Sequence, residues 1–438
     1  MPTLAVLKLD QIGDYVIFRN FLEEIKKSKK YKDYKIVLIG NIIYKNFAKA
    51  FDGNVIDKFI GVNKRNYRKY GIYRKFIANE INAQKIDVLV SPTYSRDAQW
   101  VENIVKSTIA EEKIGSSGDG TNITLGQKRE ADRKYTTLIQ QEEKPMFEFE
   151  RYKEFFEKFL GNKLSVAAAH IETENVERAR LVGFFPGAGA KYRRWSPENF
   201  AKVADYIKKN YGYKICILGD KKDKKIAKAI MKNSSADFID MTGKIPLEKL
   251  PRYCKKLQFV LTNDTAGFHI SAAVGTKVIC ISNGNNYPRF VDYPDKNLVN
   301  VVYPDEAETN LSNAKYVKDN LLYGSIIDIN KVTVEKVINA INVFVKTSAK
   351  TTKKTTAAKK STVKKSTVKK TAAKKSVSKT TAQKTAAAKS TTSKKATAKK
   401  TTAKSAVTKT TAKTTAKKSN TKTAAKTSAK KATTKKGA

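Results

Sequence analysis

The chain is poor in cysteine and histidine. Its 438 residues hold three cysteines (Cys216, Cys254, Cys280) and two histidines (His170, His269). The cysteines form no CxxC pair and sit in or beside apolar runs. That spacing excludes a disulfide framework and argues for buried thiols in a reducing compartment rather than metal ligands. No apolar run approaches the roughly 20 residues that cross a bilayer. The opening MPTLAVLKLD turns polar too soon for a secretory leader, so a cytoplasmic protein is expected. Acid is missing too, but only at one end. From Lys346 to Ala438 there is no Asp, Glu or Arg. That stretch holds 30 lysines, so of the net charge of +46 only about +16 belongs to the rest. One-sign charge without an apolar stripe predicts a disordered tail. By counterion release such a tail should bind polyanions: an anionic membrane surface, phosphorylated glycolipid or nucleic acid.

What is present before the tail is a strand–helix rhythm. TLAVLKL, YKIVLIG, NVIDKFIGV, KIDVLVSPT and KIGSS read as strands, with helical stretches between them. Residues 116–135 are polar and Gly-rich and read as a loop. A helix follows in MFEFERYKEFFEKFLG. The rhythm restarts with RLVGFFPGAGA. In SPENFAKVADYIKKNYG, Ser196 reads as N-cap, Pro197 as the first helical residue and Gly212 as the stop. YKICILG, DFIDMTG, QFVLTND and TKVICISNG continue as strands. The fold class is α/β, with two doubly wound parallel sheets facing a cleft and a disordered basic tail. The expected division is 1–160, 161–345 and 346–438. A ligand belongs at the carboxyl ends of the strands.

Three strand-end loops carry candidate chemistry. In KLDQIGDY, Gly13 permits a sharp turn and Asp14 begins a helix. Asp14 reads either as a cap or as a carboxylate aimed into the cleft, where it could act as a general base. In FFPGAGAKYRRWSPE, Gly187, Ala188 and Gly189 offer free backbone N–H groups, and Lys191, Arg193 and Arg194 add positive charge. Together they suit a phosphate or diphosphate, though the spacing is neither a P-loop nor GxGxxG. The third loop is NDTAGFHISAAVG. With Asp264 as N-cap, the N–H groups of Thr265, Ala266 and Gly267 point out of the helix toward an anion, aided by the helix dipole. Thr265 and His269 are four apart and share a face. Asp223, beyond the strand ICIL, could accept from ribose hydroxyls or simply start a solvated helix.

These loops, in this order, resemble glycosyltransferase family 9, the heptosyltransferases of lipopolysaccharide core synthesis. The resemblance rests on KLDQIGD, PGAGAKYRRWSPENFA, MTGKIPLEKL (241–250) and NDTAGFHISAAVG, over most of residues 3–290. It implies the GT-B fold, two Rossmann-like domains, and inverting transfer of a sugar from a nucleotide diphosphate sugar. The implied donor is a nucleotide sugar such as ADP-heptose, and the acceptor a glycolipid or glycan. Asp14 inherits the general base. Gly187, Ala188, Gly189, Lys191, Arg193, Asp223, Asp264, Thr265, Ala266, Gly267 and His269 inherit the donor. No metal and no further cofactor are implied. Ala266 departs from the family's usual Gly, although Gly267 follows. A rival reading is a non-catalytic polyanion-binding protein with a degenerate GT-B domain and a histone-like tail. The resemblance also suggests peripheral attachment to the inner face of a membrane.

Overall fold

Strand follows helix along the chain as the apolar runs predict, and the strands sort into two six-stranded, all-parallel sheets. The computed structural model describes residues 1–345. The expectation of a disordered, polyanion-binding tail at 346–438 lies outside the described residues. The first sheet contains β1 (Thr3–Lys8), β2 (Lys35–Asn41), β3 (Lys58–Val62), β4 (Ile86–Ser91), β5 (Ala110–Ser116) and β6 (Thr137–Ile139). The second contains β7 (Leu181–Phe185), β8 (Lys214–Ile217), β9 (Phe238–Asp240), β10 (Phe259–Asn263), β11 (Lys277–Ile281) and β12 (Val299–Val302).

The strand orders are β3-β2-β1-β4-β5-β6 and β12-β11-β10-β7-β8-β9. Counted from its own first strand, the second sheet repeats the order of the first. Each therefore reverses direction once, between β1 and β4 and between β7 and β10. Such switch points leave a crevice beyond the carboxyl ends of the strands. β1 shows why a central strand here reads as a continuous apolar run. It is buried along its whole length and pairs with β2 and β4 on either side.

Local signals place the helices. Ser196 Oγ accepts from the Asn199 N–H at 3.2 Å, Pro197 opens the helix Pro197–Tyr211, and Gly212 closes it at φ +61°. Residues 116–135 are not all loop, contrary to expectation: a helix spans Leu125–Asp132. Thr124 caps it, its Oγ1 accepting from Gln127 N–H while the Gln127 side chain accepts from Thr124 N–H. Lys128 and Arg96 both pair with Asp132 at its far end. The short strands β6 and β12 were not legible in the apolar pattern either.

Aromatic packing holds the helix Glu148–Leu160 to the first sheet's helices. Phe21 stacks on Phe156 at 5.2 Å, and Phe18 meets Tyr152 edge-on at 5.4 Å. The start of that helix reaches the second half of the chain. Arg289 donates from Nε and Nη2 to Glu148, both at 3.1 Å, and Glu148 N–H donates to Arg289 O at 2.7 Å. One apolar core, running from Leu4 to Ile327, is shared by residues of both sheets.

Candidate active site

A cleft of about 610 Å³ opens beyond β7 and β10. Its floor is the loop Gly187-Ala188-Gly189 and the helix mouth Thr265-Ala266-Gly267. Asp220 to Asp223 and Arg194 form one wall, and Leu218, Met241, Ile245, Leu247 and Leu250 form an apolar end. Gln11, Ile12 and Ile43 of the first half close the opposite side. Both floor loops thus come from the switch point of the second sheet.

Asn263 ties the two loops into one piece. Its Nδ2 donates to Pro186 O at 2.8 Å and its Oδ1 accepts from Trp195 N–H at 3.2 Å. Trp195 is buried, meets Phe200 edge-on at 5.3 Å and donates from Nε1 to Val332 O at 2.9 Å. It is a packing staple, as its place before the N-cap suggests.

The helix Ala266–Ala273 starts one residue later than expected. Thr265, extended at φ −149°, ψ 175°, is the N-cap, and its side chain makes no capping hydrogen bond. Asp264 is drawn away instead: it is buried and accepts from Arg193 Nη1 at 3.1 Å. Burial raises its pKa, with Arg193 acting against the rise. Asp264 and Arg193 neutralise each other beside the cleft, and neither lines it. Arg194 does. Its Nε and Nη2 donate to Ala188 O at 2.9 and 2.7 Å, which fixes the guanidinium on the loop. The run RRW holds both arginines, and sequence alone could not say which one turns inward. Lys191 is exposed and not part of the lining.

Close approach explains the glycines. A Cβ on Gly187 would lie 2.4–2.6 Å from the Asp223 carboxylate, and one on Gly267 would lie 2.6–2.7 Å from the Phe185 ring. Gly267, rather than Ala266, is thus the residue of this helix mouth that cannot carry a side chain. Asp223 accepts from Asp220 N–H at 3.0 Å, and burial raises its pKa.

His269 does not line the cleft. It is buried, its Nδ1 lies 2.9 Å from Tyr293 Oη, and its Nε2 lies 4.0 Å from Asp264 Oδ1. Burial lowers its pKa to about 3, so the imidazole is neutral at ordinary pH. Its ring occupies the space that a Cβ on Gly13 would take, at 2.6 Å. Here the two halves touch: the helix Ile12–Phe18 lies against the helix Ala266–Ala273.

Asp14, one residue on from Gly13, is half-buried and accepts from Gln11 N–H at 3.1 Å, so it does serve its helix as a cap. Its pKa is nonetheless raised to about 6. Burial is the main cause, followed by repulsion from Asp10, with a smaller contribution from Glu148; Lys8 and the Gln11 N–H oppose it. Lys8 is fully buried and pairs with Asp10 and Tyr152. Asp10 also accepts from Thr93 Oγ1 at 3.2 Å. Burial resists the ionisation of Asp10, but Lys8 outweighs it and the pKa falls. A fixed negative charge therefore stands beside a carboxyl group whose affinity for a proton is increased. Among the described residues, no group of three or more His, Cys, Asp or Glu is placed to hold a metal ion.

The described residues have the GT-B architecture. A solved family 9 glycosyltransferase from Veillonella parvula superposes with a TM-score of 0.62 at 20% identity, covering 78% of this chain and 97% of that one. E. coli heptosyltransferase WaaC, solved with ADP, superposes with a TM-score of 0.57 at 16% identity, covering 72% and 98%. At the level of sequence, residues 133–319 match the model of Glycosyltransferase family 9 (heptosyltransferase). Lipooligosaccharide heptosyltransferase 2 of Haemophilus ducreyi is 31% identical over 103 residues, and that of Haemophilus influenzae 27% over 106. These stretches span 22% and 23% of this chain and only 29% and 30% of the relatives' own length. The matched region 133–319 holds both floor loops of the cleft and leaves out KLDQIGD.

Proposed function

We propose that the chain is an inverting glycosyltransferase that moves a sugar, a heptose by its relatives' names, from a nucleotide diphosphate sugar to a lipopolysaccharide-core-type glycan. The observation that carries this reading is the helix mouth Thr265-Ala266-Gly267. It lacks a side-chain cap from Thr265, faces the cleft, and lies beside the small-residue loop 187–189. Unpaired N–H groups at the positive end of a helix dipole suit a diphosphate. Arg194 adds a fixed positive charge, the apolar end near Met241 and Leu250 suits a nucleobase, and Asp223 suits a ribose hydroxyl.

In this reading the acceptor hydroxyl oxygen attacks the anomeric carbon while Asp14 takes its proton. The bond from that carbon to the diphosphate oxygen breaks, and the diphosphate leaves with both electrons toward the helix mouth. A carboxylate with a pKa of about 6 is ionised at neutral pH and holds a proton better than an ordinary Asp. The first half, 1–160, then serves the acceptor, and the second, 161–345, the donor. The basic segment 346–438 adds attachment to polyanions, and an inner membrane face is the fitting location for a glycolipid acceptor.

The test is a thermal-shift series on the full chain with ADP, UDP, GDP and inorganic phosphate, followed by turnover with ADP-heptose. ADP is expected to raise the melting temperature most. Asp14→Ala is expected to bind ADP normally and transfer nothing. Failure of every nucleoside diphosphate to stabilise the protein sinks the donor reading, and wild-type turnover in Asp14→Ala removes the base.

A further inference from the structure

One basic, apolar surface of the first half takes no part in the cleft. Between Asp57 and Glu80 there is no acidic residue, while Lys64, Arg65, Arg68, Lys69, Arg74 and Lys75 crowd into twelve positions. The segment folds as two consecutive helices, Lys64–Lys69 and Gly71–Asn82. The first exposes Arg65, Arg68 and Lys69. The second buries Ile77 and Ile81 and turns Ile72, Lys75 and Phe76 outward. Ile72 is 82% exposed, Phe76 55% and Tyr70 46%. Large apolar side chains ringed by one-sign charge are uncommon on a surface that only meets water.

The surface is built to stay in place. Arg74 Nη1 donates to Tyr67 O at 3.1 Å and Arg68 O at 3.3 Å, across the junction between the helices. Tyr73 stacks beside Phe76 at 6.1 Å, and its hydroxyl accepts from Asn63 N–H at 3.0 Å. Lys64 lies 4.0 Å over the Trp100 ring and is near enough to act on the carboxylates of Asp10 and Asp97. Because the first helix begins directly after β3, the surface adjoins the carboxyl rim that also carries Asp10 and Thr93.

We propose that residues 64–76 form a docking surface for an anionic lipid bilayer, with Ile72 and Phe76 entering the headgroup–acyl boundary and the surrounding Lys and Arg pairing with lipid phosphates. Charge complementarity selects an anionic partner. The branched aliphatic Ile72, the most exposed large residue of the set, selects lipid over nucleic acid, because it gains from hydrocarbon and offers a base no stacking face. The surface is distinct from the lysine-rich segment and from the cleft, and its test reads insertion rather than turnover.

Full-length Ile72→Trp is mixed with phosphatidylcholine vesicles with and without phosphatidylglycerol at moderate salt, the depth of the indole separating insertion here from capture by the terminal lysines. The introduced indole is expected to shift its emission to the blue and to be quenched by brominated acyl chains, only on anionic vesicles. Phe76→Trp is the second reporter should the first misfold by circular dichroism. The double variant Ile72→Ser/Phe76→Ser is expected to lose vesicle affinity by about tenfold or more. Vesicle-bound protein with both indoles still in water overturns the proposal. So does undiminished binding by the double variant, or quenching by single-stranded RNA without quenching by vesicles.

Discussion

The helix that follows β1 and the helix that follows β10 begin in opposite ways. Ile12–Phe18 is closed by its own chain, with Asp14 folded back on Gln11 N–H. Ala266–Ala273 starts at a Thr265 that caps nothing, after an acid that turned to Arg193 instead. The two sheets share a strand order, so the difference is not one of fold. It lies in which residues stand within one turn of each helix start. A carboxylate folded over a helix mouth repels an anion there. A mouth left open can take an anion from outside. In the proposed function, one fold unit used twice supplies a proton acceptor from one half and an anion seat from the other.

The comparison breaks most sharply if the second mouth is made like the first. Thr265→Asp places a capping carboxylate at the open helix start. It is expected to weaken ADP binding by about a hundredfold while leaving the fold as stable or more so. Calorimetric titration and a melting curve read both effects; unchanged ADP affinity would dissociate the helix mouth from the donor.

A smaller effect belongs to the first half. Asp10→Asn removes the charge that, after burial, most raises the Asp14 pKa. As a base, Asp14 works only when ionised, so turnover in the wild type is expected to fall as pH drops through about 6. In Asp10→Asn that acid limb should move to lower pH. A limb that stays in place assigns it to another group. The same shift has a stability side. The folded pKa of Asp14 lies above the ordinary 3.8, so the proton favours the folded state, and that contribution is full below 3.8 and lost as pH rises through about 6. Asp14→Asn should therefore melt higher than wild type near pH 7, with the gain vanishing below pH 4. The smallest effect is expected from Gly187→Ala. Its Cβ would push the Asp223 carboxylate aside, raising the donor KM several-fold with kcat nearly kept.

Much of this arrangement is legible in the sequence because it is local. Ser196, Pro197 and Gly212 bound their helix by chemistry within one turn, and a buried parallel strand such as β1 needs no partner to be recognised as an apolar run. The two floor loops follow from small residues at strand ends. What was not legible depends on contacts far apart in the chain. Whether Arg193 or Arg194 faces the cleft is decided by Asp264, some 70 positions away in the chain. The Asp264 N-cap expectation fails for the same reason: the acid has a stronger partner. His269 looked like an anion ligand on helical spacing, and it meets Tyr293 and Gly13 instead. The helix Leu125–Asp132 is the exception, since its Thr124–Gln127 cap was there to be read.

The meeting of Gly13 and His269 has a geometric consequence. Asp14 is the next residue after the one, and Thr265 lies one helical turn before the other. In the proposed function, the span between proton acceptor and anion seat depends on how closely the bare Gly13 backbone approaches the His269 imidazole edge. A larger residue at position 13 is expected to press on that imidazole and move the helix Ile12–Phe18 away from the helix Ala266–Ala273.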